Sequence, residues 1–341
     1  MPHHLKTVIK NTLYKAIAIE PILNHLRKTR LNNKIIVLMY HEIVEDDADI
    51  EAWTVVKKSD FVRQMEYLSK HFNLVSLQDA LKQINNPLNN GYDKPSVVVT
   101  FDDGYAGNYR VLLPIVKSMN MPVTVFVATK HIQDQSLYWY DRLINALQGE
   151  ENISLNHLLL GKYRINQCKG AENWREIERL LSDLKALEPA KREDVVEDII
   201  KGINIQQRKK YNGAAPLSVK ELQELAGCSF VTIGAHSHCH NILTQLSEDK
   251  VMESIKTSKQ LLESWINKPV NYFSYPNGNY NDNVINILGK IGFECSLTTV
   301  PMLWERVESL FTIPRIGIGR YDSIDYFKVK VSGGAGSHKI I

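Results

Sequence analysis

The chain has little that would staple, anchor or strongly charge it. Four cysteines, Cys168, Cys228, Cys239 and Cys295, are scattered over 341 residues and form neither a CxxC pair nor a dense framework. That usage suits free thiols in a reducing compartment. No apolar run approaches the roughly 18 to 20 residues needed to span a bilayer. The N-terminus lacks an uninterrupted signal-type apolar core followed by a small-residue cleavage site, so the expected location is the cytoplasm. Charge of either sign is barely in excess: 41 Lys and Arg against 38 Asp and Glu leave +3, too little for a global field that draws nucleic acid. What remains is 44% apolar and 23% charged, an ordinary globular composition that excludes disordered, collagenous and coiled-coil chains.

The modest positive balance is concentrated at one end. Between Met1 and Lys34 there are seven Lys or Arg residues and one acid, Glu20, among apolar residues at helical spacing, with Pro21 breaking the run into two helices. Residues 1–33 therefore read as an amphipathic helical segment. Its basic face either packs on the domain or makes peripheral contact with an anionic membrane surface. From residue 34 short apolar runs alternate with amphipathic stretches, as when helices connect parallel strands. Ile35 to Tyr40, Ser96 to Phe101, Pro122 to Val127, Phe230 to Ala235, Val270 to Tyr275 and Phe293 to Thr298 read as strands. Phe61 to Lys70, capped by Ser59, and Ser247 to Trp265 read as helices. The rhythm is interrupted between about 133 and 213 by a charge-rich stretch with helical periodicity, an insertion of the kind that shapes a substrate cleft. The architecture reads as α/β with a mainly parallel sheet. Length leaves one large domain with additions and two domains equally open, and residues 331–341 read as a flexible tail.

Two clusters carry chemistry. The strand Ser96 to Phe101 runs directly into Asp102-Asp103-Gly104. Adjacent carboxylates at the end of a buried strand repel each other and resist desolvation unless a cation or hydrogen-bond donors compensate them. Far along the chain, the strand ending at Ala235 leads into His236-Ser237-His238-Cys239-His240. Histidines four apart on one helical turn project both imidazoles toward one point, while His238 points elsewhere and Cys239 packs as a small hydrophobe. Two imidazoles and one carboxylate leave coordination positions open for water, the composition of a catalytic metal site.

Thr100-Phe101-Asp102-Asp103-Gly104-Tyr105 and His236-Ser237-x-x-His240 resemble the first two motifs of the NodB-like polysaccharide deacetylases, carbohydrate esterase family four. The likeness continues through Met39-Tyr40-His41, Met121 to Val127, Leu217 to Leu225 and Phe273 to Gly278, and covers roughly residues 34 to 330 outside the insertion. It implies a distorted (β/α) barrel of about seven strands. By motif, Asp103, His236 and His240 would bind a divalent metal, zinc fitting best and nickel, cobalt or iron able to substitute. Asp102 would be the general base in attack of metal-bound water on an N-acetyl group, with an N–H after Pro276, that of Asn277, near the oxyanion.

Two departures from the family pattern stand out. The third motif usually carries an Arg that orients the base, but Asn271 to Pro276 has none; the last motif usually carries an acid His, but Ile313 to Arg320 has none. Both features resemble the branch acting on exopolysaccharides and surface-glycan intermediates. Arg315 is expected to replace the missing Arg, and His41 to supply or position the missing proton. Tyr105, Trp139, Asp141 and Tyr275 are expected to contact the sugar, with Trp139 and Asp141 forming the substrate wall. The expected substrate is an acetylated carbohydrate, an amino sugar of a polysaccharide or lipid-linked glycan precursor, with no nucleic-acid partner. O-acetyl removal, and a weakly active or non-catalytic glycan-binding role, remain the alternatives.

Overall fold

The structure is a computed structural model that describes residues 13–48, 50, 52–85, 94–148, 152–165, 171–203, 214–306 and 309–334. Cys168, the first twelve residues, residues 335–341 and parts of the insertion (149–151, 166–170 and 204–213) lie outside the described residues.

Eight parallel strands make the central sheet: β1 (Ile35–Tyr40), β2 (Asn73–Leu74), β3 (Ser96–Phe101), β4 (Val123–Val127), β5 (Val231–Ala235), β6 (Tyr272–Ser274), β7 (Cys295–Leu297) and β8 (Ile316–Gly317). Seven follow one path, β7-β6-β5-β4-β3-β1-β8, and β2 pairs with the start of β3. Every residue of β1 and β3 is buried, which is why these segments read as unbroken apolar runs. Helices cover one face and the interior fills the other. Ile313 N–H donates to the Ser296 carbonyl (3.0 Å) and Thr298 N–H to the Ile313 carbonyl (2.8 Å), while three residues on Ile316 pairs with Leu38 of β1. This short segment stitches β7 to β1 and closes the ring, giving the expected distorted α/β barrel.

Register places the chemistry. Tyr40 pairs with Phe101, Phe101 with Val125, Val127 with Ala235, and Ser274 with Leu297. The residues that follow these strand ends, including His41, Asp102 and His236, therefore emerge at the C-terminal mouth of the barrel, where a barrel builds its site. Gly234 allows the close approach of neighbouring layers: a Cβ there would lie 2.4 Å from the Phe126 ring.

The insertion packs over this mouth with its own apolar core, in which Trp139, Trp174, Leu180 and Val196 meet Val44, Ile50 and Val55 from the segment after β1, whose Glu42–Val44 and Val55–Lys57 pair as a small parallel sheet. It contains the helices Trp139–Leu147, Ala171–Lys185 and Pro189–Gly202. It is not wholly helical as expected: Ile153–His157 and Gly161–Ile165 form an antiparallel hairpin. Tyr163 and Ile165 are buried while their neighbours are exposed, a period of two that the surrounding helical pattern masks.

Three further expectations are revised. Ser59 does not cap its helix, which runs Lys58–His71 with Lys57 at the cap position; the Ser59 N–H is instead met by Asp46 Oδ1 at 3.1 Å, a donor satisfied from a distant loop. His236 to His240 is an irregular loop rather than a helical turn, with Ser237 and His240 both at positive φ. Finally, the tail does not begin at 331. Val331, Ser332 and Gly333 are buried, and Arg30 donates to the Gly333 carbonyl, because Val331 is an apolar anchor beneath the N-terminal helix. That helix, Glu20–Arg30, carries Pro21 in its first turn and buries Leu23 and Arg27. Arg27 donates to the Tyr67 hydroxyl at 2.7 Å, so one residue of the basic face is spent inside the protein.

Candidate metal centre and substrate cleft

Asp103, His236 and His240 converge at the barrel mouth with one ligand atom each, all within 4.8 Å of one another. His240 Nε2 lies 3.2 Å and His236 Nε2 3.4 Å from Asp103 Oδ1. The second nitrogen of His236, Nδ1, is 2.7 Å from the Ser274 carbonyl and can only donate to it. That bond fixes the tautomer and leaves the Nε2 lone pair facing Asp103, the arrangement of a metal-ligating imidazole with its supporting acceptor. Tyr140 donates to Asp103 Oδ2 at 2.9 Å and holds the carboxylate from the insertion side. A carboxylate and two imidazoles, that of His236 of fixed tautomer, fit a divalent metal of the zinc type. His238 turns away to Thr129 Oγ1, and Cys239, half-buried, stands apart from this group.

Backbone strain gathers here. Asp103 (φ 75°), Ser237 (φ 64°), His240 (φ 55°) and Asn277 (φ 57°) are left-handed without being glycine. Such conformations cost energy and persist where the surroundings over-determine them. Gly104, also left-handed, completes the turn after the Asp pair.

Asp102 is gripped from below. Arg315, fully buried, donates Nη1 to Oδ1 (2.7 Å) and Nη2 to Oδ2 (2.6 Å), a bidentate pair. Its remaining donors reach Thr298 O through Nε, Thr100 Oγ1 through Nη1 and Ser274 Oγ through Nη2, and the Ser274 hydroxyl in turn donates a hydrogen bond to Asp102 Oδ2 at 3.2 Å. All five guanidinium N–H groups are thereby engaged. The Arg absent from the third motif is thus matched, at Asp102, by one from the last.

Electrostatics follow from this crowding. Burial alone would raise the Asp102 carboxyl, but Arg315 and His236 outweigh it and hold it below the usual carboxylate range. Asp103 is pushed up by burial and further down by His240, His236 and His41, ending well below that range. His236 is penalised by burial yet raised on balance by Asp102 and Asp103. His41 is lowered, burial outweighing the two aspartates, and its Nδ1 is buried with no hydrogen-bond partner.

Above the metal group lies a cleft of about 360 Å³ between the barrel mouth and the insertion. His41, Asn277, Trp139 and Tyr140 line it, as do Trp53, Trp174, Lys185 and Arg192. Three of the residues expected at the sugar do not reach it. Tyr105 is buried and donates to Asp141 Oδ2 at 2.8 Å; the pair forms a layer behind Asp103, with burial and the Asp103 charge raising the Asp141 carboxyl well above its ordinary value. Tyr275 is buried between β6 and β7, its hydroxyl donating to the Phe311 carbonyl. Tyr105 lies in the turn after β3, Tyr275 just past β6 and Asp141 on the buried face of the helix Trp139–Leu147, so each side chain packs inward. Sequence reasoning passed over Trp174 and Lys185, yet a signal existed: Trp174, Leu181 and Lys185 recur at seven and four residues, one face of the helix Ala171–Lys185.

Comparison with known proteins agrees with this geometry. The family model described as polysaccharide deacetylase matches residues 89–190 and 200–296, more than half of the chain. The chain is 20% identical over 295 residues to YxkH of Bacillus subtilis, whose polysaccharide deacetylase name is itself provisional, covering 85% of this chain and 74% of YxkH. Among solved structures it resembles the Streptococcus pyogenes deacetylase PplD in complex with acetate (TM-score 0.58, 19% identity, 86% of this chain and 96% of that one). It also resembles IcaB from Ammonifex degensii (TM-score 0.53, 15% identity, 88% and 97%). These two likenesses are likenesses of fold.

Proposed function

Because the chain belongs to the polysaccharide deacetylase family, whose members are hydrolases, we propose that it removes N-acetyl groups from amino sugars of a polysaccharide or lipid-linked glycan precursor. The observation that carries the reading is the juxtaposition of the Asp103, His236 and His240 group with an Arg-clamped Asp102 on the floor of one cleft.

Asp103, His236 and His240 would hold a divalent metal, zinc best matching the ligands, with nickel, cobalt or iron as substitutes. Such an ion supplies Lewis acidity toward the acetyl carbonyl and a lowered pKa for the attacking water. Asp102 is the general base. Of about four lone-pair positions on its carboxylate, Arg315 and Ser274 fill three and one remains for the proton. Arg315 positions the base and keeps it ionised through the neutral range. Asn277, held by Lys185 Nζ at 2.7 Å from its Oδ1, stands where its N–H can meet the oxyanion. His41, its imidazole lowered from the ordinary value by burial, would donate its proton to the departing nitrogen. Trp139 and Tyr140 offer rings to the sugar.

Acetate release from N-acetylglucosamine oligomers and from O-acetylated glycans, before and after chelation and after zinc restoration, tests the reading. Zinc-restored release from the N-acetylated series is expected. Release from the O-acetylated series alone would make the protein an esterase, and sugar binding without acetate release would make it a non-catalytic member. For location we propose the cytoplasm, with peripheral contact at the inner membrane face. No helix among the described residues is long and apolar enough to cross a membrane. Lys28, Lys70, Lys94 and Arg306 line a basic cleft beside the N-terminal helix, at the barrel end where β1 and β3 begin, opposite the metal centre.

A further inference from the structure

Two cations on the insertion side of the cleft, Arg192 and Lys185, have no anionic partner in the chemistry above, in which Lys185 only steadies Asn277. Arg192 is only 2% exposed yet lines the cleft. Its guanidinium lies over the Trp139 ring at 5.1 Å, Nη2 donates to the neutral Asn241 Oδ1 at 3.1 Å, and Nε is buried with no acceptor. Lys185, at the end of the neighbouring helix, donates to another neutral group, Asn277 Oδ1. Among the described residues neither cation has a carboxylate partner. Glu193 and Glu197, on the same helix as Arg192, both bind Arg142, and Glu188 and Glu193 act on Arg192 only at a distance, with no ion pair formed. A buried charged donor without an acceptor bears its desolvation cost uncompensated. A neutral sugar hydroxyl could accept from these donors but would leave their charge uncompensated, whereas an anion would meet both.

We propose that Arg192 and Lys185 form an anion subsite beside the metal centre, so that the substrate is an acetylated amino sugar carrying a carboxylate or phosphate on its neighbouring residue or anomeric carbon. The inference rests on the deacetylase reading above and narrows its substrate class. Arg192 supplies planar donors suited to an oxyanion and is pre-oriented by stacking on Trp139; Lys185 supplies a mobile point charge. The subsite shares its walls with the reaction cleft, so charge recognition and placement of the acetyl group are coupled.

The test compares wild type with Arg192→Met, Arg192→Lys and Lys185→Gln, all zinc-loaded. The probes are neutral N-acetylglucosamine oligomers, oligomers alternating N-acetylglucosamine with glucuronate, and N-acetylglucosamine 1-phosphate. Affinity is read by calorimetry and kcat/KM by acetate release. One acidic series should exceed the neutral series at least tenfold, with the preference shrinking as salt rises. Arg192→Met should lower that ratio at least tenfold, and Arg192→Lys should retain part of it. Whichever acidic series loses its advantage identifies carboxylate or phosphate. Equal treatment of acidic and neutral sugars by wild type, or a preference untouched by Arg192→Met and Lys185→Gln, overturns the subsite. An Arg192-dependent preference in binding without acetate release from any probe would instead sink the deacetylase reading and leave the subsite standing.

Discussion

Replacing Arg315 by Met would remove the guanidinium that holds Asp102 while keeping an unbranched stem in its fully buried channel. The carboxylate, itself 2% exposed, would keep only the Ser274 hydroxyl as donor. Thr298 O and Thr100 Oγ1 would each lose their Arg315 donor as well. Breaking a buried ion pair from one side costs about 3–5 kcal/mol, because the surviving charge stays buried and unpaired. We expect a loss of that size at pH 7, in chelator so that metal binding does not contribute. Its pH dependence has a definite sign. In the native protein the folded Asp102 carboxyl lies below its ordinary value, burial being outweighed by Arg315 and His236, so it contributes stability above the ordinary carboxylate range and loses it as pH falls through the folded value. In the variant burial dominates and the folded carboxyl rises, so the penalty is present at neutral pH and fades as the group protonates. The gap between the two proteins should therefore narrow on acidification. Urea unfolding at pH 7 and pH 4, followed by tryptophan fluorescence, measures it. Pairing the variant with Asp102→Asn should recover at least about 1 kcal/mol relative to additivity. An unchanged midpoint at pH 7, a gap that widens in acid, or strict additivity would refute the reasoning.

Removing the Tyr140 hydroxyl with Tyr140→Phe should weaken metal affinity about tenfold to a hundredfold, read by competition with a chromophoric chelator; the ligands stay and only their support is lost. His41→Ala should lower kcat about 10²- to 10⁴-fold with a small change in KM and should remove the basic limb of the pH profile; near-native turnover with that limb intact would exclude His41 from proton transfer. The full chain should sediment with vesicles containing phosphatidylserine at low salt and not with neutral vesicles, and replacing Lys28, Lys70 and Lys94 together by Glu should abolish that; equal binding to both would exclude the basic cleft as the contact.

Legibility varied with how locally each feature is encoded. β1 and β3 stood out as apolar runs because both their faces are covered, and the helix Glu248–Ile266 because one face is. The Asp pair and the two histidines were visible because each cluster is contiguous. Their convergence also follows from sequence, since both trail predicted parallel strands whose ends share one side of a barrel. The hairpin Ile153–Ile165 was hidden in a charge-rich helical neighbourhood, and the Ser59 cap failed because its N–H is met by Asp46, thirteen residues earlier.

The sequence by itself determined a mainly parallel α/β sheet and the metal-ligand candidates, since these depend on strand period, strand ends and contiguous motifs; the barrel and the expectation that Arg315 serves Asp102 followed from the family resemblance. Only the tertiary structure decided which side chains face the cleft. It turned Tyr105, Asp141 and Tyr275 into supporting walls and brought Trp53, Lys185 and Arg192 to the substrate side. The reason is geometric. Whether a side chain near a motif points at a ligand depends on packing against segments remote in sequence, 36 residues away for Tyr105 on Asp141 and for Tyr275 on Phe311, and the insertion core that seats Arg192 on Trp139 is completed by residues after β1.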